Sequence, residues 1–173
     1  YNFSNYDAFF SSIHESGIEI YLVTQGTNSL YKNGTSSVIE TDAQIEAFVN
    51  YAKAIALHFP YITHFEIGNE PNISSFVTSA EVYAKLVERT SAALKEINPE
   101  IQIIAGAIAL GGYSNYLSDT LNRIDYSLID GISVHPYIHN ASADTNFEEA
   151  ISGFADTIKQ FGSWKELYIS EIG

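Results

Sequence analysis

The chain has 173 residues, 46% of them hydrophobic, which is enough to bury a core and too much for a disordered segment. Acidic residues outnumber basic ones 21 to 8, giving a formal charge of −13; this argues against nucleic acid and anionic lipid surfaces as partners and suits a neutral ligand. Cysteine is absent, which excludes disulfide frameworks, zinc thiolate sites and cysteine nucleophiles, and no apolar run reaches the roughly 18 residues of a membrane span.

In chain order, Ser4-x-x-Asp7 reads as a helix start, followed by Tyr6, Phe9, Phe10 and Ile13 at helical spacing and closed by Gly17. Residues 18–23 read as a strand, and 24–41 as a polar loop with Gly26, Asn28, Asn33 and Gly34 as turn residues. Thr41 or Asp42 can cap the next helix, whose apolar stripe is Ile45, Phe48, Val49, Ala52, Ile55 and Ala56, with Pro60 marking its end. A second strand over 63–67 runs into Gly68-Asn69-Glu70-Pro71. Ser79 opens a third helix with Val82, Leu86, Thr90, Ala93 and Leu94 inward, and Asn98-Pro99 closes it.

Residues 101–105 form the third strand candidate, a short helix is expected around 113–122, and 132–134 is a fourth strand ending at His135-Pro136-Tyr137. A helix over 147–161 and a strand over 167–170, ending at Glu171, complete the pattern. The connections between strands are about 30–45 residues long, the length of parallel crossovers rather than hairpins. Strands rich in Ile, Leu and Val suit a sheet covered by helices, and the absence of a repeat or low-complexity linker leaves a single domain over 1–173.

If the sheet is a barrel, its chemistry lies at the C-terminal ends of the strands. Two of those ends carry a glutamate, Glu70 and Glu171. Acetal hydrolysis needs such a pair: one carboxylic acid protonates the leaving oxygen, while the other attacks carbon or activates water. An isolated Glu is normally a solvated surface residue, but each of these terminates an apolar strand.

The stretch Phe65-Glu66-Ile67-Gly68-Asn69-Glu70-Pro71-Asn72 resembles the acid/base motif of clan A glycoside hydrolases, found after the fourth barrel strand. Asp130-Gly131-Ile132-Ser133-Val134-His135-Pro136-Tyr137 resembles the sixth-strand motif, and Ile169-Ser170-Glu171-Ile172-Gly173 the nucleophile motif after the seventh. Asn28-Ser29-Leu30-Tyr31 is similar to glycoside hydrolase family 39 in particular, with family 5 and related branches also open. The resemblance implies a TIM (β/α)₈ barrel, an α/β fold of which the chain covers about strands 3 to 7; a complete barrel takes roughly 250 residues.

It also implies a retaining glycosidase acting on a β-linked oligo- or polysaccharide, with Glu70 as acid/base and Glu171 as nucleophile. Asn69 would then bond the sugar 2-hydroxyl, Tyr137 would orient Glu171 through its hydroxyl, and His135 would hold a carboxylate or a sugar hydroxyl. Gln25, Asn28 and Tyr31 suit a glycone subsite or simple loop packing. Trp164 reads as helix-face packing rather than a sugar platform. The competing readings are a non-catalytic carbohydrate-binding or scaffold barrel, and an inert segment of an active parent.

No cofactor is expected. His135 and His139 stand four apart, but Pro136 breaks a shared helical face, so no catalytic metal is expected either. Gly-x-Gly-x-x-Gly, P-loop and Gly-x-Ser-x-Gly motifs are absent. Four Asn-x-Ser/Thr triplets, at Asn2, Asn33, Asn72 and Asn140, are read as unmodified, since a glycan on Asn72 would block the cleft. The first four residues do not form a signal peptide, although a polysaccharide substrate sets the expectation of a secreted or cell-surface protein.

Overall fold

The computed structural model describes residues 1–34, 36–73, 76–109, 113–137 and 143–172. Its framework is one five-stranded sheet, parallel throughout, in the order β1-β2-β3-β4-β5, with β1 Tyr21–Thr24, β2 His64–Ile67, β3 Gln102–Ala109, β4 Gly131–His135 and β5 Glu166–Ile169. Helices α1 Ser4–Glu15, α2 Asp42–His58, α3 Ala80–Ile97, α4 Ser118–Leu121 and α5 Ala143–Ile158 alternate with the strands. Consecutive strands joined through helices form the repeating unit of a (β/α)₈ barrel, as the strand and helix order in the sequence implies.

The sheet is curled. Five flat parallel strands would hold the outer two roughly 19 Å apart. Instead the rings of Tyr21 on β1 and Tyr168 on β5 meet across the concave face at 5.4 Å between centroids. The convex face carries Phe65, Ile67, Ile103, Ile132 and Val134, all buried, against Ile45, Phe48, Ala52, Leu86, Leu94 and Phe154 of the helices.

The helix starts follow local chemistry. Thr41 and Gln44 make a reciprocal capping box at α2, and Ser79 Oγ accepts the Val82 N–H at α3. The start of α1 differs from the sequence reading. Ser4 is its first helical residue rather than its cap, and Asn2 Oδ1 accepts the Ser4 N–H at 3.1 Å. None of the residues of α1 is fully buried, and Tyr6 and Phe9 stay exposed because this helix lies at the margin of the sheet. On α3, Tyr83 and Val87 take buried positions, while Val82 and Ala93 are only partly covered.

The largest departure from the sequence reading is β3, which runs four residues further than expected. Its register with β4 shifts between Ala105 and Ile108, where Gly106 (φ 126°) and Ala107 (φ 47°) leave the extended conformation. A side chain at Gly106 would meet the Ser133 carbonyl oxygen at 2.4 Å, so only glycine fits there. The N–H groups released by this bulge find side chains instead: Gly106 donates to the Tyr83 hydroxyl (2.8 Å) and Ala107 to Ser133 Oγ (2.7 Å). The Tyr83 hydroxyl in turn donates to the Ile67 carbonyl at 2.6 Å. One buried phenol thus ties the end of β2 to the bulge of β3.

Tyr83→Phe would leave a buried N–H and a buried C=O without partners. It is expected to lower stability by about 2–3 kcal/mol, read as a fall in the urea midpoint at unchanged slope.

Candidate active site

The C-terminal ends of β2, β4 and β5 converge on the concave rim. Leaving β2, the chain turns at Gly68 (φ 85°), whose N–H donates to the Thr24 carbonyl of β1 at 2.7 Å. Glu70 then takes a left-handed conformation (φ 46°), uncommon for a residue with a side chain and a mark of a turn held from outside. Asn72 provides part of that hold. Its Nδ2 donates to the Ala109 carbonyl (3.2 Å) and its Oδ1 accepts the Ala109 N–H (3.0 Å), so the turn is pinned to the end of β3.

The turn aims Glu70 at His135, the last residue of β4. Glu70 Oε1 lies 3.3 Å from His135 Nδ1, and Glu171 Oε2, two residues beyond β5, lies 3.8 Å from the same nitrogen. One donor atom from each of the three residues falls within 4.8 Å of the others. The imidazole is 2% exposed, whereas the two carboxylates are 22% and 50% exposed and open to the rim. These three groups also form a donor set that a divalent cation could occupy. His139, the other member of the histidine pair noted in the sequence, lies outside the described residues.

A second tier sits beneath this one. Glu66 of β2 is fully buried in the sheet interior. Its Oε1 accepts hydrogen bonds from Ser133 Oγ (2.8 Å) and Ser170 Oγ (2.9 Å), and Ser170 Oγ is also 3.1 Å from His135 Nε2. The Tyr21 hydroxyl comes up against the same carboxylate without full hydrogen-bond geometry, so it and Glu66 Oε2 are buried polar atoms short of a partner. Burial, followed by the negative charge of Glu66, pushes the Tyr21 phenol far above its ordinary range. Lower still, Tyr168 donates to Glu166 Oε2 at 2.7 Å; burial and that carboxylate push its phenol up to about 12.

Glu70, His135 and Glu171 are therefore brought together as the sequence reading requires. Asn69 sits half-buried in the same turn. Tyr137 places its ring edge-on to His135 at 6.3 Å, and its backbone N–H donates to the His135 carbonyl. Gln25, Asn28 and Tyr31 line a separate cavity of about 440 Å³ beside the rim, shared with Tyr1, Phe48 and Tyr51 and not lined by the carboxylates or the imidazole. Asn28 also caps a 3₁₀ turn, Ser29–Tyr31, by accepting the Leu30 N–H.

Trp164 is not on a helix face. A 3₁₀ turn at Lys159–Phe161 ends the helical segment, and the indole, 54% exposed, precedes β5 at the end of the sheet away from the site. Asp130, part of the β4 motif, accepts the Ile103 N–H and pairs with Lys95 at 2.8 Å. It anchors the lower end of β4 and stands apart from the rim. The sequence reading missed Glu66 and Ser170. The signal was present in the strand alternation, which turns Glu66 away from the helix-facing Phe65 and Ile67 and therefore inward.

The family model for glycosyl hydrolases family 39 matches residues 1–167. The chain belongs to this family. A curated beta-xylosidase of Geobacillus stearothermophilus is 34% identical over 91 residues, covering 49% of this chain and 17% of that protein. A family 39 glycoside hydrolase from the gut symbiont Bacteroides cellulosilyticus WH2 superposes over 100% of this chain and 39% of its own, with a TM-score of 0.80 at 23% identity. The monomeric beta-xylosidase of Caulobacter crescentus CB15 matches with a TM-score of 0.76 at 18% identity, again over 100% of this chain and 41% of the other. The family 39 chain described here thus spans well under half the length of these relatives.

The turn before Glu70 can be tested sterically. A Cβ on Gly68 would approach the Phe76 ring to 2.5 Å, in a backbone conformation that side chains resist. Gly68→Ala is expected to cost about 2–3 kcal/mol, from left-handed strain plus overpacking. Adding Phe76→Leu should recover part of the steric share, giving a coupling of at least about 0.5 kcal/mol in a double-mutant cycle of urea midpoints.

Proposed function

We propose that this chain carries the catalytic pair of a retaining glycosidase that hydrolyses β-linked oligo- or polysaccharides by double displacement. The observation that carries the reading is the approach of Glu70 and Glu171, with donor atoms within 4.8 Å of each other and of His135. Retaining enzymes hold their carboxyls about 5–5.5 Å apart, whereas inverting enzymes leave roughly 6.5–9.5 Å for a water. Membership of glycosyl hydrolases family 39 supports the same class of chemistry.

In the first step the Glu171 carboxylate attacks the anomeric carbon while the bond to the leaving oxygen breaks. Glu70 gives its proton to that oxygen, so the aglycone departs as a neutral alcohol. In the second step Glu70, now a carboxylate, takes a proton from water as the oxygen of that water attacks the same carbon and Glu171 leaves. Two inversions restore the original configuration. We assign Asn69 to the sugar 2-hydroxyl, Tyr137 to steadying Glu171, and the cavity lined by Gln25, Asn28 and Tyr31 to a more distant part of the substrate. The relative named a beta-xylosidase makes β-xylosides the first substrates to try. A polysaccharide substrate favours a secreted or cell-surface location.

In the full-length protein, Glu171→Ala should reduce turnover by at least about 10³-fold, with partial rescue by azide. Azide would enter on the face vacated by Glu171 and give a glycosyl azide of the opposite anomeric configuration. Rescue of Glu70→Ala on an activated aryl glycoside should give the azide of retained configuration. Product configuration by proton NMR separates the two roles, and wild-type turnover in Glu171→Ala would end the assignment. Calorimetric binding of oligosaccharides without any product would favour a non-catalytic barrel.

A further inference from the structure

The hydrogen bonds beneath the rim have a fixed direction. The Ala107 N–H can only donate, so Ser133 Oγ, which accepts it, must direct its own single proton to Glu66 Oε1. Ser170 Oγ makes the parallel bond to the same oxygen, which a carboxylate accepts without returning a proton. The remaining contact of Ser170, to His135 Nε2 at 3.1 Å, is then one in which the imidazole donates. With Nε2 carrying a proton, a neutral His135 presents a bare Nδ1 to Glu70 Oε1 at 3.3 Å.

We infer that Glu66 is a positioning residue: acting through Ser170, it fixes His135 as the Nε2–H tautomer, so that Nδ1 receives and holds the carboxylic acid proton of Glu70. This deepens the proposed function and rests on the assignment of Glu70 as acid/base. The proton the leaving group needs is then shared between Glu70 Oε1 and His135 Nδ1. The negative charge of Glu66, whose Oε1 lies 4.0 Å from His135 Nε2, helps to retain it. The exchange leaves the net charge unchanged: the same proton sits on the carboxyl of Glu70, or on the imidazole opposite a Glu70 carboxylate, and in either position it can pass to the glycosidic oxygen through Glu70.

The titratable groups that face the relay come from every strand but one. Tyr21 of β1 abuts Glu66, Glu66 and Glu70 belong to β2 and its turn, Tyr137 follows His135, and Tyr168 and Glu171 belong to β5 and its end. Tyr83 stands behind the sheet, and β3 carries no titratable residue. Among the described residues, no lysine or arginine pairs with Glu66, Glu70 or Glu171, which leaves the imidazole as the basic group close to all three.

The test uses the full-length protein and two glycosides of the same sugar. One has a 2,4-dinitrophenyl leaving group that departs without a proton, and the other has an alkyl leaving group that needs one. In Glu66→Gln an amide replaces the charge at equal size. Its oxygen can accept from Ser133 and Ser170 as the carboxylate does, so the variant removes the charge that helps to hold the proton and leaves the direction of the relay unchanged. On the alkyl glycoside the alkaline limb of kcat/KM against pH should move toward acid by about one pH unit. At alkaline pH the loss should be at least about tenfold greater than on the dinitrophenyl glycoside.

Ser170→Ala, which cuts the relay but keeps the Glu66 charge and its bond to Ser133, should fall selectively on the alkyl glycoside in the same way, and it carries the test if Glu66→Gln does not fold. Imidazole ¹⁵N shifts in the wild type should show His135 protonated at Nε2. The inference is overturned if the wild type shows the Nδ1–H tautomer, if both variants keep wild-type profiles, or if both substrates lose activity equally at every pH. Failure here is distinct from failure of the underlying reading. Were Glu171→Ala to abolish turnover while Glu66→Gln and Ser170→Ala left the profile unmoved, only the relay would fall.

Discussion

An acidic side chain inside a sheet has to be hydrogen-bonded in place, because a bare carboxylate away from water costs several kcal/mol. Glu66 meets that demand by drawing two hydroxyls to one oxygen, from Ser133 on β4 and Ser170 at the end of β5. Neither strand neighbours β2 in the sheet. The bonds close only if the sheet curls, and the meeting of Tyr21 with Tyr168 records the same curl nearer its lower end. That curvature brings Glu70 and Glu171 to the same nitrogen of His135, although their parent strands would otherwise lie three strand spacings apart.

The bulge in β3 is the second constraint. It takes two residues out of the ladder and hands their N–H groups to Tyr83 and Ser133. Tyr83 belongs to the outer helical layer and Ser133 to the inner face, so one irregularity locks helix, sheet and interior together. The turn carrying Glu70 is fastened to the same strand a few residues later, through Asn72 and Ala109. A left-handed Glu70 is tolerated because the chain is held on both sides of it, by the Gly68 N–H on the Thr24 carbonyl before it and by Asn72 on Ala109 after it.

The site divides into an exposed working tier and a buried supporting tier. The carboxylates that face the rim differ in exposure and share one imidazole, while of the groups that orient the imidazole from below Glu66 and Ser133 are fully buried and Ser170 is half-buried. Rigid strand ends suit chemistry that depends on a fixed gap between two carboxyls. The cavity beside the rim is built differently, largely from a loop and the flank of α2, and loops are where variation among barrels of one family is accommodated.

Much of this was readable along the chain. The five parallel strands, the helices between them, the Thr41 and Ser79 caps, and the two strand-end glutamates follow from local rules of periodicity and turn chemistry, which act over a few residues. Family membership agrees with the resemblance drawn from the short motifs, and the matched residues, 1–167, include those around Glu70 and His135. The bulge was not visible, because Gly106 and Ala107 leave the ladder only in response to Ser133 and Tyr83, which are distant in sequence. The buried face of α3 was displaced for the same reason: Tyr83 is drawn inward by a hydrogen bond that no helical periodicity records. Glu66 could be assigned to the inner face by alternation alone, but its partners could not, since a carboxylate, two serines and a histidine from three strands meet only once the sheet has curled. Local sequence thus determined which residues end the strands, and long-range packing decided which of those ends touch.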